Sequence, residues 1–189
     1  MRGAVLAAVL AVAASGCGGD TATLTERISL PAGETVTVAA AEPAPQLCAN
    51  EEDGYVVEFP GSWHANAAGP AGGCTFFHPS EFTVPERPES LVVAISVKRE
   101  HVPFSIAAAF ADDAEVADFA VGGRPARRAE YVTSDDTFLP AGIRVYEVVV
   151  DLGSSTLIAV TRDLGEGLAF EDSKRVLDRM LETLRLTSA

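Results

Sequence analysis

The three histidines of the chain, His64, His78 and His101, are its best candidates for metal binding or acid–base chemistry. Imidazole nitrogens and carboxylate oxygens suit zinc and related ions, and Glu81 and Glu86 follow shortly after His78. The spacing of these residues matches no metal motif such as HExxH. We therefore interpret the histidines as separate surface or loop residues, and we expect neither a metal nor a cofactor. An enzyme that uses His64 and His78 is the alternative.

Three segments of the chain resemble other catalytic or ion-binding motifs, but each departs from its motif at a specific position. Residues 153–156 lack the second glycine of a nucleophile elbow. The glycine-rich segment 69–73 lacks the Lys and Ser or Thr that complete a phosphate-binding loop. The acidic run 50–54 has Pro60 where an EF-hand loop would require a glutamate, so it predicts a solvated turn before a strand. These failures favour a protein that is not an enzyme.

A basic cluster and an aromatic residue are candidates for partner binding. Arg124, Arg127 and Arg128 lie close together, and guanidinium groups bind anionic partners or lipid head groups well. Adjacent residues of a strand point to opposite faces, so Arg127 and Arg128 do not share a face. We name Arg124, Arg128 and Trp63 as candidate binding residues. Local ion pairing of the arginines and core packing of Trp63 are the simpler interpretations.

The net charge of the chain disfavours certain classes of binding partner. The formal net charge is -13, from 27 acidic and 14 basic residues. Phosphate binding draws on clustered Lys and Arg, so this balance argues against a nucleic-acid partner. An anionic lipid surface would also repel the chain, which favours a domain held clear of the membrane.

The N-terminal residues carry the most specific signal. Arg2 precedes an apolar run at 4–14, which is shorter than the ~20 residues of a membrane-spanning helix. The sequence Ala-Ser-Gly-Cys at 14–17 resembles the lipobox of bacterial lipoproteins. The resemblance implies a signal peptide at 1–16, acylation of Cys17 and anchoring to the cell membrane on its extracytoplasmic side. An ordinary secretory signal followed by a chance cysteine is the alternative.

The lipobox resemblance also leads to a prediction for the other two cysteines, Cys48 and Cys74. If Cys17 carries lipid, Cys48 and Cys74 form an even pair in an oxidising compartment, which predicts one disulfide. For the two to meet, residues 47–53 must fold back across the end of the sheet, for which one helical turn is a candidate. Two free thiols or half of a metal site are the alternatives.

Composition divides the rest of the chain into a tether and a domain. Residues 17–46 are rich in Gly, Thr, Ala and Pro, which is typical of a flexible linker, with one candidate hairpin around 31–33. Residues 47–189 form the domain. Strands are predicted from apolar patterns at 55–59, 74–78, 91–98, 126–133, 143–152 and 156–162. Helices are predicted from Ser105 to about Ala114 and at about 170–186.

This order of elements predicts an α+β domain with a central antiparallel sheet packed by helices. Residues 54–60 followed by Trp63, residues 122–126, and a closing helix that ends at Leu186 resemble the PsbP/Mog1-like superfamily. The resemblance covers about 47–189 and implies an α/β/α sandwich. Members of that superfamily are accessory, assembly or binding proteins without a shared set of catalytic residues.

Together these observations predict a cell-envelope lipoprotein that acts as a non-enzymatic binding or accessory module. Its partners would be the membrane, through the N-terminal lipid, and an envelope protein or lipid that the sequence does not identify. The alternative is a carrier that holds an apolar envelope molecule in a groove between the sheet and the helices.

Overall fold

The structure is a computed structural model, which describes residues 27–29, 35–37, 42–88, 91–134, 139–165 and 169–187. The chain divides into two compact units, Met1–Ala41 and Glu42–Ala189. In the first unit, β1 (Arg27–Ser29) and β2 (Thr35–Thr37) pair antiparallel, which is the short hairpin suggested by the sequence. The predicted signal peptide and Cys17 lie outside the described residues.

Within its described residues, the second unit has ten strands in two antiparallel sheets and two helices. Its strands in chain order are β3 (Gln46–Asn50), β4 (Tyr55–Phe59), β5 (His64–Ala65), β6 (Phe76–His78), β7 (Ile95–Glu100), β8 (Glu115–Val121), β9 (Arg124–Val132), β10 (Arg144–Asp151), β11 (Thr156–Arg162) and β12 (Arg185–Leu186). Its helices are α1 (Phe104–Ala107) and α2 (Phe170–Thr183). The larger sheet has the order β5-β6-β7-β11-β10-β9-β8, and the smaller has the order β12-β4-β3.

The centre of the larger sheet is buried on both faces. Val148, Val149 and Val150 follow one another in β10, and all three are fully buried. Since successive strand residues point to opposite faces, both faces must be covered at this point. The sequence predicted that both faces of the sheet are covered, because both alternating sets of residues in 91–98 include apolar side chains. The strand in that segment begins only at Ile95.

The main core lies between the larger sheet and a second layer made of the smaller sheet and α2. Leu177 and Met180 of α2 are fully buried in it, and each such side chain contributes roughly 1.5–3 kcal/mol relative to exposure. The residues that fill this interface from both layers include Tyr55, Val57, Phe59, Phe77, Val97, Val148, Val150, Leu157, Ala159, Leu181 and Leu184. None of the described helices is long and apolar enough to cross a membrane.

The predicted α+β class is wrong, because the second unit is mostly β. An α/β/α sandwich needs helices on both faces of its sheet. Here α2 has 14 residues and shares its face of the larger sheet with the three-stranded sheet, while α1 has only four residues. On the face that carries α2, the strands of the smaller sheet take part of the place that the resemblance assigned to helices.

The largest local error concerns the helix predicted from Ser105 to about Ala114. The helix ends at Ala107, and the chain then turns into β8, which pairs with β9 over seven residues. Gly122 and Gly123 both have positive φ, at 55° and 77°, and so permit the tight turn between these strands. The alanine-rich sequence favours a helix locally, but residues 108–114 form turns and irregular structure that lead into β8 at Glu115.

The closing helix is also shorter than predicted. It ends at Thr183, and Arg185 and Leu186 form β12, which pairs with β4. β12 therefore forms one edge of the smaller sheet. The opposite edge of that sheet is β3, which the sequence assigned to a tether and a helical turn.

Candidate functional site: the disulfide groove

A disulfide joins the two sheets. Cys48 of β3 is bonded to Cys74, which lies just before β6, and their Cα atoms are 5.9 Å apart. This confirms the predicted bond. The chain reaches it differently from the prediction, since residues 46–50 form a strand antiparallel to β4 and not a helical turn. As a strand at the edge of the smaller sheet, β3 has one side without a strand partner.

The turn between β3 and β4 follows from the acidic run. The Oδ1 atom of Asn50 accepts a hydrogen bond from the backbone N–H of Asp53 at 2.9 Å, and Gly54 takes a positive φ of 72°. The backbone N–H of Gly54 donates to the carbonyl oxygen of Asn50 at 3.0 Å. This is the turn that the composition of residues 50–54 predicted.

A buried tyrosine fixes the disulfide against the larger sheet. The hydroxyl of Tyr55 lies 2.6 Å from the carbonyl oxygen of Cys74 and 3.1 Å from that of Val97. Tyr55 is fully buried, and this burial raises the pKa of its hydroxyl well above the usual range, so the hydroxyl keeps its proton and donates. The smaller sheet is thus tied to the larger one by a covalent bond and by a hydrogen bond beside it.

A groove of about 800 Å³ runs along the outer edge of β3. On its other side lie β5, which is one of the two edge strands of the larger sheet, and the loop that follows it. The side-chain amide of Gln46 donates to the carbonyl oxygens of Gly61 at 2.9 Å and Trp63 at 3.3 Å, which joins the two sides. The lining comprises residues 46–52, Phe59, Gly61, residues 63–68 and residues 72–74. We call this the disulfide groove.

The lining combines apolar, acidic and small side chains. Leu47 is 70% exposed, and Trp63 is half-buried against the core. Glu51 and Glu52 are exposed where β3 ends. Much of the remaining lining is Ala or Gly, which leaves the backbone of the groove accessible to a ligand. Such a surface suits an extended chain better than a compact small molecule.

The three histidines do not form a common site. His64 and His78 face each other across β5 and β6, whereas His101 is exposed after β7. The Nδ1 atom of His78 accepts a hydrogen bond from the backbone N–H of Ala94 at 3.2 Å, and burial, with a smaller effect of His64, lowers its pKa. Among the described residues, no three His, Cys, Asp or Glu side chains come close enough together to hold a metal ion.

The candidate arginines lie at the opposite end of the larger sheet. Arg127 forms a two-bond ion pair with Asp118 of β8, at 2.6 and 3.2 Å. Arg128 points to the other face, where its guanidinium lies 5.9 Å from the centre of the Phe119 ring. Arg124 is exposed beside the turn between β8 and β9. Of the candidate binding residues, Trp63 lines the disulfide groove, and Arg124 and Arg128 do not.

Sequence reasoning missed the strand that forms one side of the groove. In β3 the inward positions are Cys48 and Asn50, and the outward position Leu47 is apolar, so the usual alternation is absent. One signal was present. The dipeptide at Asp53 and Gly54 favours a hairpin turn, and a hairpin requires a strand before the turn as well as after it.

No family model matches this chain, and no curated protein matches it either.

Proposed function

We propose that residues 42–189 form a binding module that takes up an extended, basic segment of a partner protein along the outer edge of β3. The exposed edge of β3 in the disulfide groove is the observation that carries the proposal. An added strand gains main-chain hydrogen bonds from such an edge, and pockets beside it select the side chains.

The chemistry of the groove defines the segment. Leu47 and Trp63 offer apolar contacts to alternate side chains of a bound strand. Glu51 and Glu52, together with a formal net charge of -13, favour a partner with Lys or Arg at the intervening positions. The same charges would repel an acidic peptide, so the module would distinguish the two.

We also propose that the module is held at the cell envelope by a lipid on Cys17. The lipobox-like sequence supports the anchor, and the disulfide supports an oxidising compartment outside the cytoplasm. A tether between the anchor and the module would hold the module away from an anionic lipid surface.

Two other functions have less support. An enzyme that uses His64 and His78 would need a free base, but the Nδ1 atom of His78 already accepts the Ala94 N–H. A carrier would need an open space between the larger sheet and α2, and that interface is filled by Leu177, Met180 and their neighbours.

A peptide titration tests the binding function. The full chain with Cys17→Ser, produced with its disulfide formed, would be titrated with a labelled octapeptide of alternating Lys and Val. We expect Leu47→Ser to weaken binding at least fivefold, because it removes an apolar contact worth about 1 kcal/mol. The matched control is Val132→Ser, which changes a 56% exposed valine on β9 and should leave the affinity unchanged.

A second peptide tests the role of charge. An octapeptide of alternating Glu and Val has the same length and apolar content, and we expect it to bind at least tenfold more weakly. The double variant Glu51→Gln with Glu52→Gln should reduce this preference. Equal affinity for the two peptides, or equal loss in Leu47→Ser and Val132→Ser, would refute the proposed site.

A further inference from the structure

A second polar cluster lies on the face of the larger sheet that points away from α2. Lys98 of β7, Glu147 of β10 and Arg162 of β11 all lie on this face, as the strand register shows. The hydroxyl of Tyr131 in β9 donates to the Oε2 atom of Glu147 at 2.9 Å. Four neighbouring strands thus each contribute one polar side chain to the cluster.

Glu147 is the acidic member of this cluster. Burial raises the pKa of its carboxyl, while Tyr131, Arg162 and Lys98 act in the opposite direction. Arg162 and Lys98 are close enough to influence Glu147, but neither forms an ion pair with it within the described residues. The ion-pair partner of Lys98 is Glu100.

Arg162 has an unused hydrogen-bond donor. Its Nε atom is buried and has no hydrogen-bond partner in the described part of the chain. Buried donors in folded proteins nearly always have an acceptor, so a donor without one points to an acceptor outside the described residues, such as an ordered water, an anion or a polar ligand. Guanidinium groups bind carboxylates with particular strength because the bonds are charge-assisted.

A cavity of about 710 Å³ lies beside this donor. Its volume falls within the ~300–1,000 Å³ of typical small-molecule sites. Its cationic lining residues are Lys98, Arg99 and Arg162, against Glu52 and Asp53. The apolar part of its lining is formed by Phe76, Pro88, Leu91, Val93, Leu139 and Leu164.

We propose that this cavity binds a small amphiphile with a carboxylate head and an apolar chain. The carboxylate accepts hydrogen bonds from Arg162 and lies near Lys98, and the chain lies against Leu91, Val93 and Leu164. A lining that combines cationic groups with apolar side chains fits such a molecule better than it fits an inorganic anion. This site uses a different set of residues from the disulfide groove, apart from Glu52 and Gly72, so the two proposals can fail separately.

Dodecanoate is the probe, used below its micelle concentration with the full chain carrying Cys17→Ser. We expect saturable binding at one site in isothermal titration. Arg162→Gln should weaken it at least tenfold, and Lys98→Gln should weaken it about threefold. The charge-matched control is Arg179→Gln, which changes an exposed arginine of α2 and should leave binding unchanged. Glu147→Gln should strengthen binding about threefold, because it removes a negative charge near the carboxylate.

Three further probes separate the contributions of the head and the chain. Acetate tests the head alone, dodecanol tests the chain alone, and dodecyltrimethylammonium reverses the charge. We expect each to bind at least tenfold more weakly than dodecanoate. If dodecanol binds as well as dodecanoate, the cavity is a general apolar site and the proposal is wrong. If acetate binds as well as dodecanoate, the apolar wall has no role and the proposal is also wrong.

A direct readout covers the case in which Arg162→Gln does not fold. The Nε–H resonance of Arg162 should move on addition of dodecanoate to the otherwise unchanged chain and should stay in place with dodecanol. Leu91→Glu, which adds a negative charge to the wall, should abolish that movement. An Nε–H resonance that dodecanoate does not move would overturn the assignment.

Discussion

At the scale of single residues, Cys74 is the position on which the disulfide groove depends most. Its φ of 62° is positive, and it is the only described residue other than glycine with such a value. Three bonds hold it there: the disulfide to Cys48, its own N–H to the carbonyl oxygen of Asn66 at 2.8 Å, and its carbonyl oxygen to Tyr55. The cost of the backbone conformation is therefore offset by contacts to both sides of the groove.

Loss of the disulfide should therefore weaken both the fold and the groove. The bond closes a loop with a sequence separation of 26, and such a loop is worth about 3 kcal/mol. We expect Cys48→Ser with Cys74→Ser to lower the free energy of unfolding by about this amount. Guanidinium unfolding at neutral pH measures it.

The matched control for the disulfide prediction is the unchanged chain with its disulfide reduced, which should unfold at the same guanidinium concentration as the double variant. An unfolding midpoint equal to that of the oxidised chain would show that the bond contributes nothing. In that case β3 would be held by its pairing with β4 alone.

At the scale of elements, the hairpin of β8 and β9 depends on the conformation of its turn. Gly123 has a φ of 77°, and a Cβ atom placed there would meet no atom within 4 Å. Gly123→Ala therefore tests backbone strain without a steric clash, and we expect it to cost about 1 kcal/mol of unfolding free energy. Thermal unfolding measures the change.

Gly69→Ala is the control for this prediction. A Cβ atom at Gly69 also meets nothing within 4 Å, and its backbone lies outside the left-handed region. We expect a change of less than about 0.5 kcal/mol there. Equal losses at the two positions would mean that the turn conformation does not control the hairpin.

The elements differ in how far the sequence predicts them. The strand at 55–59 and the start of α2 at Phe170 were predicted correctly, because their apolar residues follow a clear period. The strand at 156–162 was predicted correctly from a continuous apolar run that follows a turn. The edge strands β3 and β8 were missed, since exposed edges carry mixed side chains that obscure the period. An edge strand is specified by its partner, and that information lies elsewhere in the chain.

The candidate sites, like the edge strands, could be predicted from the sequence only in part. The Cys48–Cys74 bond was predictable from the number of cysteines, and Trp63, which the sequence indicates as a binding candidate, lines the groove. The proximity of Glu147 and Arg162 depends on the register between β10 and β11. The geometry of the short turn between the two strands sets that register, and the predicted strand bounds of 143–152 and 156–162 do not specify it.

At the scale of the whole molecule, the acidic charge agrees with the proposed partner. A formal net charge of -13 gives a long-range attraction for basic segments, which accelerates association and weakens as salt is added. Glu51 and Glu52 place part of this charge beside the exposed edge of β3. The disulfide holds β3 in place, and the proposed partner segment would align on that strand.

The most direct test of strand addition is amide hydrogen exchange of β3 in the full chain with Cys17→Ser, with and without the alternating Lys and Val octapeptide. The peptide should slow exchange of outward-facing amides in residues 46–50 by at least tenfold, because they gain main-chain acceptors, and should leave β8, an edge strand of the larger sheet, unchanged. The alternating Glu and Val octapeptide should protect neither strand. Bound peptide with unprotected β3 amides, or equal protection of β3 and β8, would contradict the proposed binding mode.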